Sequence, residues 1–138
     1  MDRRELQEIS RARIEEAQIL LQNERFEGAY YLAGYAVECA LKACIAKQTS
    51  EHDFPDLKFV RKIYTHNLEE LLGLAGLREE FRTKASRDQN FRVNWAVVKD
   101  WSEEARYRAQ VGEQKVRELV EAIVDETSGV LSWLKTLW

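Results

Sequence analysis

FEGAYYLAGYAVECALKACIAK, residues 26–47, is apolar around most of its circumference when wound as a helix, through Ala29, Leu32, Ala33, Ala36, Val37, Ala40, Leu41 and Ile45. A helix of that kind belongs at the centre of a bundle or in an interface between copies. Gly28 and Gly34 interrupt it, each at roughly 1 kcal/mol of helix propensity. Close approach by a neighbouring helix is the expected compensation. The stretch also carries Glu38 and Lys42, which is too much charge for a conventional membrane span. Cys39 and Cys44 stand five residues apart and point in different directions, so they do not bridge each other. Two free thiols in a packed helix lead us to expect a reducing, cytoplasmic setting.

Working outward, Arg4 to Gln22 forms an amphipathic helix, with Leu6, Ile9, Ile14, Ala17 and Leu21 on one side. Asn23-Glu24-Arg25 is a short polar break suited to a helical hairpin. Gln48 to Thr65, with the single proline Pro55, reads as the one long connection. Asn67 followed by Glu70 resembles a capping box and opens a third helix through Leu68, Leu71, Leu72 and Leu74. Leu77 to Lys84 is expected to add a short helix, Ala85 to Asn90 a loop, and Val93 to Trp101 a fourth helix. Val116, Leu119, Val120, Ile123, Val124, Leu131, Leu134 and Trp138 keep one side apolar from Val111 to the end. One helix there would reach about 40 Å, with Gly129 as the place for a kink.

The whole is 138 residues, 45% hydrophobic and 33% charged, with no period-two β-branched run. That suits one all-α domain over residues 1–138, a four- to five-helix up-and-down antiparallel bundle with a long C-terminal helix. A net charge of −3 gives no global field to recruit nucleic acid. The start, Met1-Asp2-Arg3-Arg4-Glu5, lacks the apolar stretch of a signal peptide. The two histidines and two cysteines have no metal-site spacing, so no metal or cofactor is expected.

Tyr31, Tyr35, Glu38 and Lys42 fall on one narrow face of the central helix. A carboxylate and an ammonium so placed need each other or a ligand. A satisfied internal network is the plainer reading, and a binding pocket the functional one. Arg61 and His66 offer a phosphate-stabilising cation and a proton carrier for metal-independent RNA cleavage. The plainer reading of His66 is a helix-capping residue. His52 has no partner pattern. Trp95 and Trp101 fit core anchors better than a ligand cage. Arg78, Arg82, Lys84, Arg87 and Arg92, diluted by Glu79, Glu80 and Asp88, fit a solvated face.

RFEGAYYLAGYAVECALKACIAK (Arg25 to Lys47) resembles the second helix of HEPN domains. ARIEEAQILL before it, YTHNLEELL (Tyr64 to Leu72) and NWAVVKDWSEEARY later extend the resemblance over nearly the whole chain. It implies an up-and-down helical bundle, commonly homodimeric. Some HEPN domains are encoded beside small nucleotidyltransferases as toxin partners, some are thought to bind nucleotides, and some are ribonucleases. The ribonucleases use an Arg-x4–6-His motif at a late helix, followed in the toxins by a tyrosine two residues after the histidine. Here the match, Arg61 to His66, comes before the third helix, Lys62 follows the arginine, and Leu68 holds the tyrosine position.

The resemblance therefore implies a non-catalytic, homodimeric module that binds a nucleotide or a partner nucleotidyltransferase. Its site is expected at Tyr31, Tyr35, Glu38 and Lys42 with His66, Arg106 and Tyr107. Aromatic rings there would stack on a base, and Lys42 and Arg106 would meet phosphate. The alternatives are an RNA-cleaving toxin of a toxin-antitoxin pair, using Arg61 and His66, and a dimerisation domain with no ligand.

Overall fold

A computed structural model describes residues 2–51, 61–104 and 110–138. Arg106 and Tyr107 of the expected site, His52, and most of the long connection lie outside the described residues. No strand occurs among those described, so the all-helical expectation holds.

Helix α1 (Arg3–Gln22) starts on a reciprocal cap. Asp2 accepts from the Glu5 backbone N–H, and the Glu5 carboxylate accepts from the Asp2 N–H. It ends at Asn23, and Glu24, with φ of 58°, turns the chain into α2 (Phe26–Glu51). The short turn forces the two into an antiparallel hairpin. Ser10 of α1, fully buried, donates from Oγ to the Ala36 carbonyl at 2.7 Å and ties the pair together. Five alanines of α2 (Ala29, Ala33, Ala36, Ala40, Ala43) are completely buried. Side chains this small let other helices come close on several sides of α2. It packs against α1, α3 (Leu68–Leu74), α6 (Glu113–Val124) and α7 (Val130–Leu134).

Gly28 faces Leu20 of α1, as the expectation of a neighbouring helix had it. At Gly34 the neighbour is instead the Trp101 indole, which lies where a Cβ would have to go. Trp101, buried, donates from Nε1 to the Tyr30 carbonyl at 3.1 Å. It sits just past the end of α5 (Gln89–Val98).

Three expectations need correction. The helices around residue 88 run further than expected: α4 covers Arg78–Arg87, α5 begins at Gln89, and only Asp88 separates them. Asp88 caps α5 by accepting from the Phe91 N–H at 3.0 Å, so a polar stretch that reads as a loop is a one-residue joint. The long C-terminal helix is in fact two helices, α6 and α7. The Asp125 carboxylate takes the Thr127 and Ser128 N–H groups at 3.0 and 2.7 Å, which turns the chain out of α6. Gly129 then passes so near the Asp125 and Ile123 carbonyls that no side chain fits. Finally, the capping box at α3 is only half formed. Asn67 accepts from the Glu70 N–H, but the Glu70 carboxylate accepts from Thr65 Oγ1.

Far from the α2 stripe, Phe81, Phe91, Trp95 and Trp133 join α4, α5 and α7, with ring centroids 5.1–6.2 Å apart. Edge-on contacts of this kind add to the area they bury. Trp95 and Trp101 are both core residues, as expected. Arg78, Arg82, Arg87 and Arg92 are exposed, which fits the solvated face. No described helix is long and apolar enough to cross a membrane.

Gly34→Ala should push Trp101 off α2 and cost about 1–3 kcal/mol, the range for overpacking a tight site. Denaturant unfolding followed by tryptophan fluorescence measures it. Asp88 yields a second expectation. The Phe91 N–H, then Ser128 Oγ at 2.8 Å, and Lys84 hold its carboxyl below the ordinary carboxylate value. These bonds favour the charged form in the folded state only, so their contribution is present above the unfolded pKa and fades as pH falls through the lowered folded one. Asp88→Ala should therefore lower Tm at pH 7, and the gap from wild type should close on acidification below about pH 4. Parallel thermal melts check this.

Candidate functional site

Glu38 is 2% exposed, in the middle of α2. A carboxylate taken out of water there must be matched by charge or hydrogen-bond donors. One match comes from its own helix: Lys42 Nζ reaches Glu38 Oε2 at 3.1 Å across one turn. The other comes from the start of α3, where His66 Nδ1 stands 2.8 Å from Glu38 Oε1. His66 therefore does not cap α3; Asn67 does. The far side of the imidazole meets a third partner, with His66 Nε2 lying 3.1 Å from Glu103 Oε2. The result is a chain of groups, Lys42–Glu38–His66–Glu103, in which potential cations alternate with carboxylates.

Burial grades along this chain. Glu38 is closed off, the Lys42 side chain is 22% exposed, that of Glu103 28%, and that of His66 42%. Both ring nitrogens thus face carboxylate oxygens, and a contact is a donation from the imidazole where that nitrogen carries a proton. The four groups are spread over three parts of the chain, and only Glu38 and Lys42 share a helix.

Tyr31 and Tyr35 lie two turns and one turn, respectively, before Lys42's carboxylate partner Glu38. Their rings stack, with centroids 6.0 Å apart and planes within 13°. Tyr31 also packs against Trp101 at 6.3 Å. Both tyrosines are half-buried. Burial, then the neighbouring Cys39, pushes the Tyr35 hydroxyl up to about 12, so it stays a hydroxyl at neutral pH. Cys39 and Cys44 are free, buried, and raised to about 11 chiefly by burial, so neither is a ready thiolate nucleophile.

Of the residues expected from sequence, the structure thus brings together Tyr31 with Tyr35, and Glu38 with Lys42 and His66. Arg106 and Tyr107 lie outside the described residues. Arg61 is exposed and precedes the Tyr64 turn, in which its carbonyl accepts from the Tyr64 N–H. Sequence reasoning missed Glu103 altogether and gave Trp101 only a core role. The available signal was position: Glu103 follows, by two residues, the tryptophan whose ring packs on Gly34 and Tyr31. Among the described residues no group of three His, Cys, Asp or Glu side chains is placed to hold a metal ion. The geometry explains this for the present cluster. The two carboxylates approach opposite nitrogens of one ring and do not converge on a point.

Comparison with known proteins agrees with the helical architecture. The sequence model described as "HEPN domain" matches residues 4–137, nearly the entire chain. No curated protein and no solved structure matches it. With that match over its full helical core, the chain belongs to the HEPN domain family.

Proposed function

We propose that this HEPN domain is a non-catalytic binding module, homodimeric, which receives a nucleotide or a partner nucleotidyltransferase on the α2 face. The observation that carries the reading is the double engagement of His66. Both ring nitrogens face carboxylates, Glu38 at 2.8 Å and Glu103 at 3.1 Å. A general base for RNA cleavage needs a nitrogen free to take the 2′-hydroxyl proton. It also needs a cation near the phosphate, and the nearest charges around this ring include two carboxylates. Departure from the family's catalytic motif points the same way, since the arginine–histidine pair comes early in the chain and Leu68 replaces the tyrosine.

For a binding role the same face offers complementary chemistry. The Tyr31–Tyr35 stack keeps part of its aromatic surface exposed, and bases or partner side chains pack well on such rings. Lys42 stands at the end of the stripe with part of its side chain in water. Beyond it, Leu6, Ile45, Ala46, Ile63 and Tyr64 line a groove of about 630 Å³, with Arg3 and Asp2 at its rim. Tyr64 is 72% exposed there, which leaves a large apolar ring available to a partner. A second copy of the chain is our preferred companion for this surface in the free protein, because α2 is the most apolar helix and part of its length borders the groove.

Light scattering at micromolar concentration should give twice the mass of one chain; a strictly monomeric mass counts against the homodimer. Structured and unstructured RNA incubated with the protein in chelator should remain intact. Cleavage that disappears in His66→Ala would replace the binding reading with the toxin one. Glu38→Ala should destabilise by about 2 kcal/mol, below the range for breaking a fully buried pair, because Lys42 and His66 both retain a route to water. Calorimetric titration of ATP into wild type and this variant tests the ligand role. If neither ATP at millimolar concentration nor a co-encoded nucleotidyltransferase binds wild type, the binding reading falls and a ligand-free dimerisation domain takes its place.

A further inference from the structure

The flank of α1 beside the tyrosine stack carries a cation that the α2 pattern alone does not show. Ile9 of α1 and Tyr35 of α2 pack on the same small cluster, Leu6, Cys39 and Ala43. Arg13 lies one turn after Ile9 on that flank, with its side chain 33% exposed. Its Nη1 donates to the Glu16 carboxylate at 2.9 Å, and among the described residues Glu16 is its one hydrogen-bond partner. Burial is the main influence on the Cys39 thiol, followed by its bond with the Tyr35 hydroxyl; after Glu38, the charges of Lys42 and Arg13 both reach it. Cations from two helices therefore flank the Tyr35 end of the aromatic stack. They are not equivalent. Lys42 is committed to Glu38, a carboxylate closed off from water. Glu16 is 48% exposed, and an ion pair so accessible holds little of the fold together.

We infer that Arg13 is a phosphate contact of the α2 face, and that the ligand is a nucleoside phosphate whose ring lies on the Tyr31–Tyr35 pair. The inference deepens the proposed binding role by adding a residue and naming the ligand class, and it rests on that reading. A guanidinium presents five N–H donors in a flat fork, and Glu16 engages one of its nitrogens, so an edge is left for a phosphate. Binding there asks nothing of the Lys42–Glu38–His66 network and leaves both contacts of His66 in place. The tyrosine planes lie within 13° of each other, so the stack offers flat aromatic surface beside the fork. Aromatic and guanidinium surfaces side by side fit a molecule that joins a planar ring to an oxyanion.

The probes are ADP and adenosine, which share base and ribose and differ in the diphosphate. Each is titrated in chelator at constant ionic strength into the full chain. Carbon–proton NMR follows the tyrosine rings, assigned through Tyr31→Phe and Tyr35→Phe. Both probes should shift the Tyr31 and Tyr35 rings of wild type. Arg13→Gln should bind ADP about tenfold more weakly, the low end for a hydrogen bond to a charged group. It should bind adenosine as wild type does, which also reports that its aromatic site is intact. Arg4→Gln is the matched control. Arg4 pairs with Glu8 at 3.3 Å, but nine residues, about two and a half turns, place it on the opposite side of α1. Its ADP affinity should equal that of wild type. Arg13→Lys keeps the charge, loses the fork, and should fall between wild type and Arg13→Gln. Equal ADP losses in Arg4→Gln and Arg13→Gln would reduce the effect to overall charge and overturn the contact. So would an adenosine loss in Arg13→Gln as large as the ADP loss, because adenosine has no phosphate to lose. An ADP affinity unchanged in Arg13→Gln removes Arg13 and keeps the nucleotide site. The absence of any tyrosine shift with ADP in wild type removes the nucleotide reading itself, and Arg13 with it.

Discussion

A carboxylate in the middle of the most apolar helix is a constraint that the rest of this domain has to meet. Glu38 is 2% exposed, and a charge so placed is tolerated only with partners at hydrogen-bond distance. The same helix can supply one of them, at i+4, and Lys42 does so. The second lone-pair region points away from α2 and must be met from another element. That requirement fixes where the start of α3 lies, because His66 has to bring Nδ1 to within 2.8 Å. Burial of a polar group on α2 thereby positions a segment nearly thirty residues further along the chain.

Small side chains are what make this arrangement possible. With Ala29, Ala33, Ala36, Ala40 and Ala43 completely buried, neighbours approach α2 closely, and the Ser10 hydroxyl can reach the Ala36 carbonyl directly. Gly34 extends the same logic to the indole of Trp101, whose Nε1 then finds the Tyr30 carbonyl at 3.1 Å. Trp101 is the anchor that brings the following segment, and with it Glu103, over the imidazole. The two ends of the charged chain thus have different origins. One end is set by helical register within α2, the other by a glycine that admits an aromatic ring.

That difference also explains how much of the molecule could be read from its sequence. Helical class, the central helix, and the hairpin turn at Asn23-Glu24-Arg25 follow from composition and local pattern, which act over a few residues. The Glu38–Lys42 pair is legible for the same reason, because i, i+4 spacing is a local fact. Glu103 was not legible, since Ser102-Glu103-Glu104 reads as an ordinary polar run until the tertiary position of Trp101 is known. The split of the last helix was missed for another reason. Apolar residues keep a helical spacing on both sides of Asp125-Glu126-Thr127-Ser128-Gly129, so periodicity concealed a turn that the Asp125 carboxylate and Gly129 impose. At Asp88 the error was the reverse: polar composition suggested a loop where a single capping residue suffices.

Histidine suits the pivotal position for a geometric reason. Its two nitrogens point to opposite sides of a rigid ring, so one can be committed to a buried carboxylate while the other faces an accessible group. A lysine would place all its donors on one flexible nitrogen and would follow Glu38 inward. An arginine would engage Glu38 through two parallel bonds and satisfy it more strongly, leaving less reason for an outward contact. The imidazole alone divides the task, with the inner nitrogen serving the fold and the outer one facing the 28%-exposed Glu103 side chain. The two contacts then act on the same ring from opposite sides. A substitution on the inner side disturbs both, whereas a substitution at Glu103 changes the outer contact with little demand on the core.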